Sequence, residues 1–282
     1  MNHIGVVGCG TMGSGIALSC ALQGIDVSVV EDSSTTVDLG KMRLEASLER
    51  VAKSRSMNES QRIETLSLIR YSTELSSLST CGLVIEAIAE DLPAKEEVFR
   101  SLDRIVSKSA VLASNTSSIP IMKLARCTTS PERVIGMHFF NPVPVLHLVE
   151  VVSSLLTSKD TRDLVANFAT DVLKKQVVYS KDRAGFIVNA LLLPYLLGAI
   201  RMYEGGFATA ENIDTAMVVG CAHPIGPLAL CDLIGLDIAK AVADSIYEEF
   251  KDPSFAPPAL LLRMVEAGHL GRKTGKGFYQ YP

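Results

Sequence analysis

The chain of 282 residues predicts an α/β fold: a doubly wound, mostly parallel sheet followed by a smaller, all-helical C-terminal domain. Three observations predict it. A tight glycine cluster links an apolar run to a small-residue helix near the N-terminus. Short apolar strands then alternate with amphipathic helices to about residue 180. From Gly185 onward, helical segments follow one another without convincing strands.

The run Ile4–Val7 is the first strand, and Gly8-Cys9-Gly10-Thr11-Met12-Gly13 is the turn into a helix. The run Val27–Val30 is the second strand, ending at Glu31, 23 positions after Gly8. The glycines serve a tight turn, close backbone approach to a pyrophosphate, and close packing of helix on strand. A helix N-terminus adds unpaired N–H groups and positive dipole for the same anion. An acid closing the second strand accepts both ribose hydroxyls and repels a 2′-phosphate. Strand, turn, helix, strand and acid in this order predict a Rossmann-like dinucleotide site that takes NAD rather than NADP.

Beyond Glu31, the apolar spacing in Thr36–Lys53 is helical, and Asn58 with Gln61 three residues on reads as a reciprocal cap of another helix. Further strands are expected at Leu83–Ile85, Ala110–Ala113, Val134–Met137, Leu146–Val152 and Gln176–Tyr179. Helices are expected around Val98–Leu102 and near Asp160–Lys174. The second domain should hold four helical segments: Phe186–Tyr203, Ala210–Val219, Leu228–Phe250 and Pro258–Ala267. The charged joint Lys181-Asp182-Arg183 sets the boundary, giving domains 1–182 and 183–282.

Composition narrows the function classes. Apolar residues make up 48% and the net charge is −4, so electrostatics give no reason to expect nucleic acid or an anionic membrane surface as partner. The longest apolar stretch, Leu191–Ile200, is about half of a bilayer span and holds Pro194. No basic start with an apolar signal core precedes the first strand. The six cysteines are scattered, without CxxC or Cys/His ligand spacing, as in a reducing compartment; the cytoplasm is expected, and no metal.

His138 ends a strand inside His138-Phe-Phe-Asn-Pro-Val-Pro144, and Glu150 lies 12 positions later in an apolar strand. Two readings fit that spacing. In one, the carboxylate holds one imidazole nitrogen and makes the other a general base. In the other, a core histidine is satisfied elsewhere and Glu150 faces water from an edge strand. Ser114-Asn115-Thr116-Ser117-Ser118 follows a strand and either offers hydroxyls at the ligand-binding edge of the sheet or caps a helix over Ile119–Leu124. Asn189 is the lone polar residue of an apolar helical stretch, where a buried amide must find partners. His223, before Pro224, reads as structural or exposed.

These motifs together resemble the 3-hydroxyacyl-CoA dehydrogenase family, in its short, 3-hydroxybutyryl-CoA dehydrogenase form, nearly end to end. The resemblance rests on Gly8–Gly13, Val84-Ile85-Glu86-Ala87, Ser114–Ser118, His138–Pro144, Gly185–Asn189, Gly226-Pro227, Asp232–Asp237 and Gly271–Tyr279. It implies an NAD-dependent oxidoreductase of fatty-acid or butyrate metabolism that interconverts 3-hydroxyacyl and 3-oxoacyl thioesters. His138 is implied as base and Glu150 as its orienting partner, with Ser117 and Asn189 near the substrate oxygen. Glu90, Lys95, Ser117 and Asn141 are implied to contact the nucleotide alongside Glu31. The resemblance also implies a homodimer formed through the helical domain.

One departure bears on the acyl carrier. Coenzyme A-binding relatives carry several lysines on the helix after the second strand. Here Ser47, Arg50, Lys53 and Arg55 remain, while Ala46 and Ser54 stand where lysine can occur. Coenzyme A is the expected carrier and an acyl carrier protein the alternative. The family also includes an enzyme of a free sugar acid and a lens structural protein, so a non-catalytic NAD-binding role is the alternative of another class.

Overall fold

A computed structural model describes residues 2–282, which divide into two compact units, one ending at Asp182 and the other beginning at Arg183. The first unit opens with β1 (His3–Val7), α1 (Thr11–Ala21), β2 (Asp26–Val30), α2 (Ser34–Arg55), α3 (Glu59–Ser67) and β3 (Ile69–Ser72). It continues through β4 (Leu83–Glu86), α4 (Leu92–Ile105), β5 (Val111–Ser114), α5 (Ile121–Ala125) and β6 (Val134–Phe139). The last elements are β7 (Leu148–Ser153), α6 (Lys159–Asn167) and β8 (Gln176–Lys181).

The strands form one sheet in the order β3-β2-β1-β4-β5-β6-β7-β8. The first six are parallel, β7 runs antiparallel to β6, and β8 is parallel to β7. Strand order reverses between β1 and β4, the place where open α/β sheets bind ligands at their carboxyl edge. The central strands are apolar on both faces because helices cover both, so β4 and β5 are buried at every position.

Local chemistry sets the helix starts. Asn58 and Gln61 form the expected reciprocal cap of α3, and Ser33 with Thr36 forms a second such cap on α2. The α5 helix is capped from a distance: the Asp182 carboxylate accepts the N–H groups of Ile121 and Met122, each at 2.7 Å. The expected joint at residue 182 is therefore a structural tie within the first unit. The short strand β3 was not expected, since Ile69-Arg-Tyr-Ser72 follows α3 almost directly and only Ile69 is buried.

Helix α4 is locked to the sheet by a buried pair. Arg133 donates to Asp103 at 2.7 Å and to the carbonyls of Ser107 and Ala110. Asp103 also accepts from the backbone and hydroxyl of Thr129. Burial alone would raise its pKa, but the Thr129 and Arg133 hydrogen bonds outweigh it and hold the carboxyl well below the usual range.

The second unit contains α7 (Val188–Glu204), α8 (Ala210–Gly220), α9 (Pro227–Ile234), α10 (Leu236–Phe250) and α11 (Ala259–Glu266) around a core that includes Leu196, Leu197, Ile200, Leu228 and Ile246. The expected single segment Leu228–Phe250 is two helices, broken at Gly235, whose φ of +103° no helix accommodates. Two buried acids organise this unit. Asp214 caps α9 by accepting from Leu228 and Ala229 and takes the Tyr279 hydroxyl. Asp232 accepts the N–H groups of Phe278 and Tyr279 and the hydroxyl of Tyr281. A Cβ at Gly277 would stand 1.9 Å from the Asp232 carboxylate, which explains the small residue there.

The Asp103–Arg133 pair yields a stability prediction. Asp103→Ala should destabilise by about 3–5 kcal/mol in urea unfolding at neutral pH, because it strands a buried guanidinium. Adding Arg133→Met should recover part of that loss. Since the folded carboxyl titrates below its unfolded value, the gap between wild type and Asp103→Ala should shrink as pH falls below the ordinary carboxylate range.

Candidate active site

The loop after β1 is held tight by contacts that leave no room for side chains. Gly8 sits at φ +93°, and a Cβ there would lie 2.7 Å from the Ala87 carbonyl oxygen. At Gly13 a Cβ would meet the Gly8 carbonyl oxygen at 1.9 Å. Gly10 differs, because the space around its Cβ position is open to 4 Å. It is also the N-cap of α1 and lends that helix no side-chain hydrogen bond. Open backbone and an N-terminus without a side-chain cap suit a pyrophosphate.

The Glu31 carboxylate accepts the N–H of Cys9, so it folds over the glycine loop from the end of β2. Asp32 is turned away and accepts from Thr36 in the cap of α2. Of the two adjacent acids, Glu31 is the one placed for a ribose. Together with the open Gly10 backbone, this donor set fits the adenosine diphosphate part of a nicotinamide nucleotide.

Acids also build the next two loops. Glu86, fully buried at the end of β4, accepts from Lys95 at 2.6 Å, Ser114 at 2.6 Å and the Ile88 N–H at 2.7 Å. Lys95 is 1% exposed and also pairs with Glu90 at 3.2 Å. Glu90 in turn accepts from the Ser117 and Ser118 N–H groups and from the hydroxyls of Thr116 and Ser118. Burial opposes its ionisation, but the Lys95 charge and the Thr116 and Ser118 bonds lower its pKa below the usual value. The 114–118 run is a turn built on Glu90, and the Thr116 hydroxyl accepts the Ile119 N–H just ahead of α5. The Lys95 ammonium is enclosed by two acids of its own chain, Glu86 and Glu90. Ser117 is half-buried, and among the described residues its hydroxyl has no protein partner.

His138 and Glu150 are register partners across the antiparallel β6–β7 ladder. Their side chains meet at 2.6 Å, His138 Nδ1 to Glu150 Oε2, with Glu150 fully buried. An ionised carboxylate only accepts, so Nδ1 carries the proton and Nε2 is left with the basic lone pair. The Phe140 ring leans on the imidazole at 4.5 Å between centroids. On the other side, Asn115 accepts the Phe139 N–H at 2.9 Å and ties β6 to the serine loop. The water-facing alternative for Glu150 is thereby excluded.

Other candidates are more exposed. Asn141 lies on the surface just after β6. On α2, Ser47 is half-buried while Arg50 and Lys53 are exposed. Asn189 belongs to the second unit, half-buried in the first turn of α7 instead of enclosed as the apolar stretch implied. Tyr195 meets His223 at 3.0 Å in the same unit, which gives that histidine a structural partner. Sequence reasoning missed the roles of Glu86 and Asp182; an acid ending a fully apolar strand, with lysine nine residues on, is the signal that marks Glu86.

A sheet that reverses beside an open glycine loop marks the class of dinucleotide-binding proteins, and a carboxylate-held histidine on the same edge, three strands along, supplies such a protein with a base. The particular family follows from comparison with known proteins. Residues 3–183 match the family described as 3-hydroxyacyl-CoA dehydrogenase, NAD binding domain, and residues 185–281 match its C-terminal domain. The chain belongs to the 3-hydroxyacyl-CoA dehydrogenase family and is an NAD-dependent oxidoreductase of that kind. It is 54% identical to a 3-hydroxybutyryl-CoA dehydrogenase of Mycobacterium tuberculosis, over all of this chain and 99% of that one. It is 41% identical to the mitochondrial hydroxyacyl-coenzyme A dehydrogenase of Sus scrofa, covering 100% and 91% of the two chains. The crystal structure of (S)-3-hydroxybutyryl-CoA dehydrogenase PaaH1 from Ralstonia eutropha superposes with a TM-score of 0.94 at 43% identity, covering 100% and 99%.

The thiol in the glycine loop provides a test of this site. Burial, and then the Glu31 charge, push the Cys9 pKa up to about 12, so it is no nucleophile. A thiol reagent at pH 8 should label exposed Cys221 in the folded protein and spare Cys9, Cys20 and Cys231 until denaturant is added. Labelling of Cys9 in the folded protein would mean that the loop is not packed as described.

Proposed function

We propose that the chain interconverts (S)-3-hydroxybutyryl-CoA, or a similar short-chain CoA thioester, and its 3-oxoacyl counterpart. The observation that carries this reading is the His138–Glu150 pair on the same sheet edge as the glycine loop. In the oxidative direction His138 Nε2 takes the proton of the 3-hydroxyl. Glu150 stabilises the imidazolium that results, as a carboxylate on Nδ1 does for any histidine base. The Ser117 hydroxyl, without a partner among the described residues, donates to the substrate oxygen. Asn189 enters as a second substrate contact on the strength of the Gly185–Asn189 motif.

When bound, NAD supplies the hydride acceptor. Gly8, Gly10, Thr11, Met12 and Gly13 are the residues to hold its pyrophosphate, and Glu31 its ribose. Glu90, Lys95, Ser117 and Asn141 are the further nucleotide contacts. Ser47, Arg50 and Lys53 on α2 are proposed to meet the nucleotide end of coenzyme A. Pairing into a homodimer through the helical unit and a cytoplasmic location complete the reading; no described helix is long and apolar enough to cross a membrane.

Three measurements test it. His138→Gln should lower kcat by roughly 100- to 10,000-fold while the Kd for NADH changes less than twofold; full activity would remove His138 as the base. Glu31→Ala should erase most of the preference for NAD over NADP, since like-charge juxtaposition costs several kcal/mol; comparable kcat/KM for both cofactors in the wild type would show that Glu31 does not face the ribose. Rates with both enantiomers of 3-hydroxybutyryl-CoA and with a hydroxyacyl carrier protein should favour the S-enantiomer of the CoA thioester. For that substrate, Arg50→Ala and Lys53→Ala should raise KM, with the effect fading as salt increases. A clear preference for the carrier-bound substrate would assign the enzyme to a biosynthetic role.

A further inference from the structure

Eight residues, Phe140–His147, connect β6 to β7 and so join the strand of His138 to the strand of Glu150. The carbonyls of this connection converge on one place. Lys175 donates to the Val143 carbonyl at 2.5 Å and to the Leu146 carbonyl at 2.6 Å. Arg55 at the end of α2 donates to the Pro144 carbonyl at 3.4 Å, and the Gln176 N–H donates to the His147 carbonyl at 2.6 Å. Four of the last five carbonyls in the connection are thus taken.

Lys175 is an expensive way to do this. It is 6% exposed, and among the described residues its ammonium pairs with carbonyl oxygens and with no carboxylate. Burial, and then the nearby Arg55 charge, lower its pKa. A charge kept in such a place costs stability that an apolar side chain would not. The connection is also packed against the nucleotide helix: Val143 is buried, and a Cβ on Gly15 of α1 would lie 3.0 Å from it.

We propose that Lys175 is a positioning residue for the catalytic pair: by clamping the β6–β7 connection it fixes the His138–Glu150 hydrogen bond, and by pressing Val143 on α1 it keeps that pair at a set place relative to the glycine loop. The lysine touches no reacting atom. It holds the hairpin whose two strands carry the base and its partner, and its charge is what binds two carbonyls at once. This inference rests on His138 being the base.

The experiment compares Lys175→Met, Lys175→Gln and Lys175→Arg with wild type and with His138→Gln. The readouts are kcat, KM for NAD, Tm, and the low-field proton resonance of the His138 Nδ1–H bond to Glu150. His138→Gln first tests the underlying reading; if it keeps full activity, that reading fails whatever Lys175 does. With His138 established, Lys175→Met should lower kcat at least tenfold, at a temperature where it is folded, with KM for NAD changed less than threefold. The low-field resonance should shift or broaden, and Lys175→Arg should restore most of both. Lys175→Gln keeps a donor too short to reach both carbonyls and, should Lys175→Met not fold, carries the same test with an intermediate loss. A variant that lowers Tm but keeps wild-type kcat and an unchanged resonance would show that Lys175 is merely structural and overturn the proposal.

Discussion

The reversal of one strand is the constraint on which the chemistry depends. Six strands run parallel, each delivering its loop to the carboxyl edge of the sheet, and a seventh parallel strand would have carried Glu150 along the same direction as His138. Because β7 runs back along β6 after a short connection, residues 12 positions apart become direct cross-strand neighbours with side chains on one face. The same step buries the glutamate in the sheet. A carboxylate there is tolerated only with a strong donor beside it, so the fold and the catalytic pair stabilise one another through the His138–Glu150 hydrogen bond.

Buried charge is the recurrent device of this molecule. Glu86 and Lys95 hold two loops to the sheet edge, Asp103 and Arg133 anchor a helix to it, and Asp182, Asp214 and Asp232 gather backbone N–H groups that no regular element satisfies. Each acid ties together segments distant in sequence. That is why Gly226, Gly271 and Gly277, in motifs that carry the family resemblance, are glycines: their Cβ positions are filled by Asp214 or Asp232. Those motifs identify the family by its framework, whereas the chemistry sits in the glycine loop, the serine turn and the β6–β7 hairpin.

Much of this was legible in the sequence because it is local. The glycine loop, the apolar strands and the Asn58–Gln61 cap are written within a few consecutive residues. The His138–Glu150 pair was half legible: residue types and spacing suggested it, but the antiparallel reversal that makes them neighbours leaves no periodic signal. What escaped was long-range. Asp182 caps a helix that begins 61 residues earlier, so its role could not be read from neighbours, whereas the Glu86–Lys95 pair is local and its spacing was simply overlooked. The short strand β3 lacks a two-sided apolar pattern, and Gly235 breaks a helix through its own φ, which composition does not disclose. Asn189 looked buried because its neighbours are apolar, yet it stands at a helix start where the chain is half open.

If His138 and Glu150 work as one unit, their contributions to catalysis cannot be independent. The most direct measurement is a double-mutant cycle on kcat/KM with His138→Gln, Glu150→Gln and the double variant, each checked for wild-type affinity for NADH. The account predicts that Glu150→Gln slows the wild-type enzyme markedly but leaves the His138→Gln enzyme nearly unchanged. Losses that simply multiply in the double variant would contradict it, since Glu150 would then act on the reaction without acting through the imidazole.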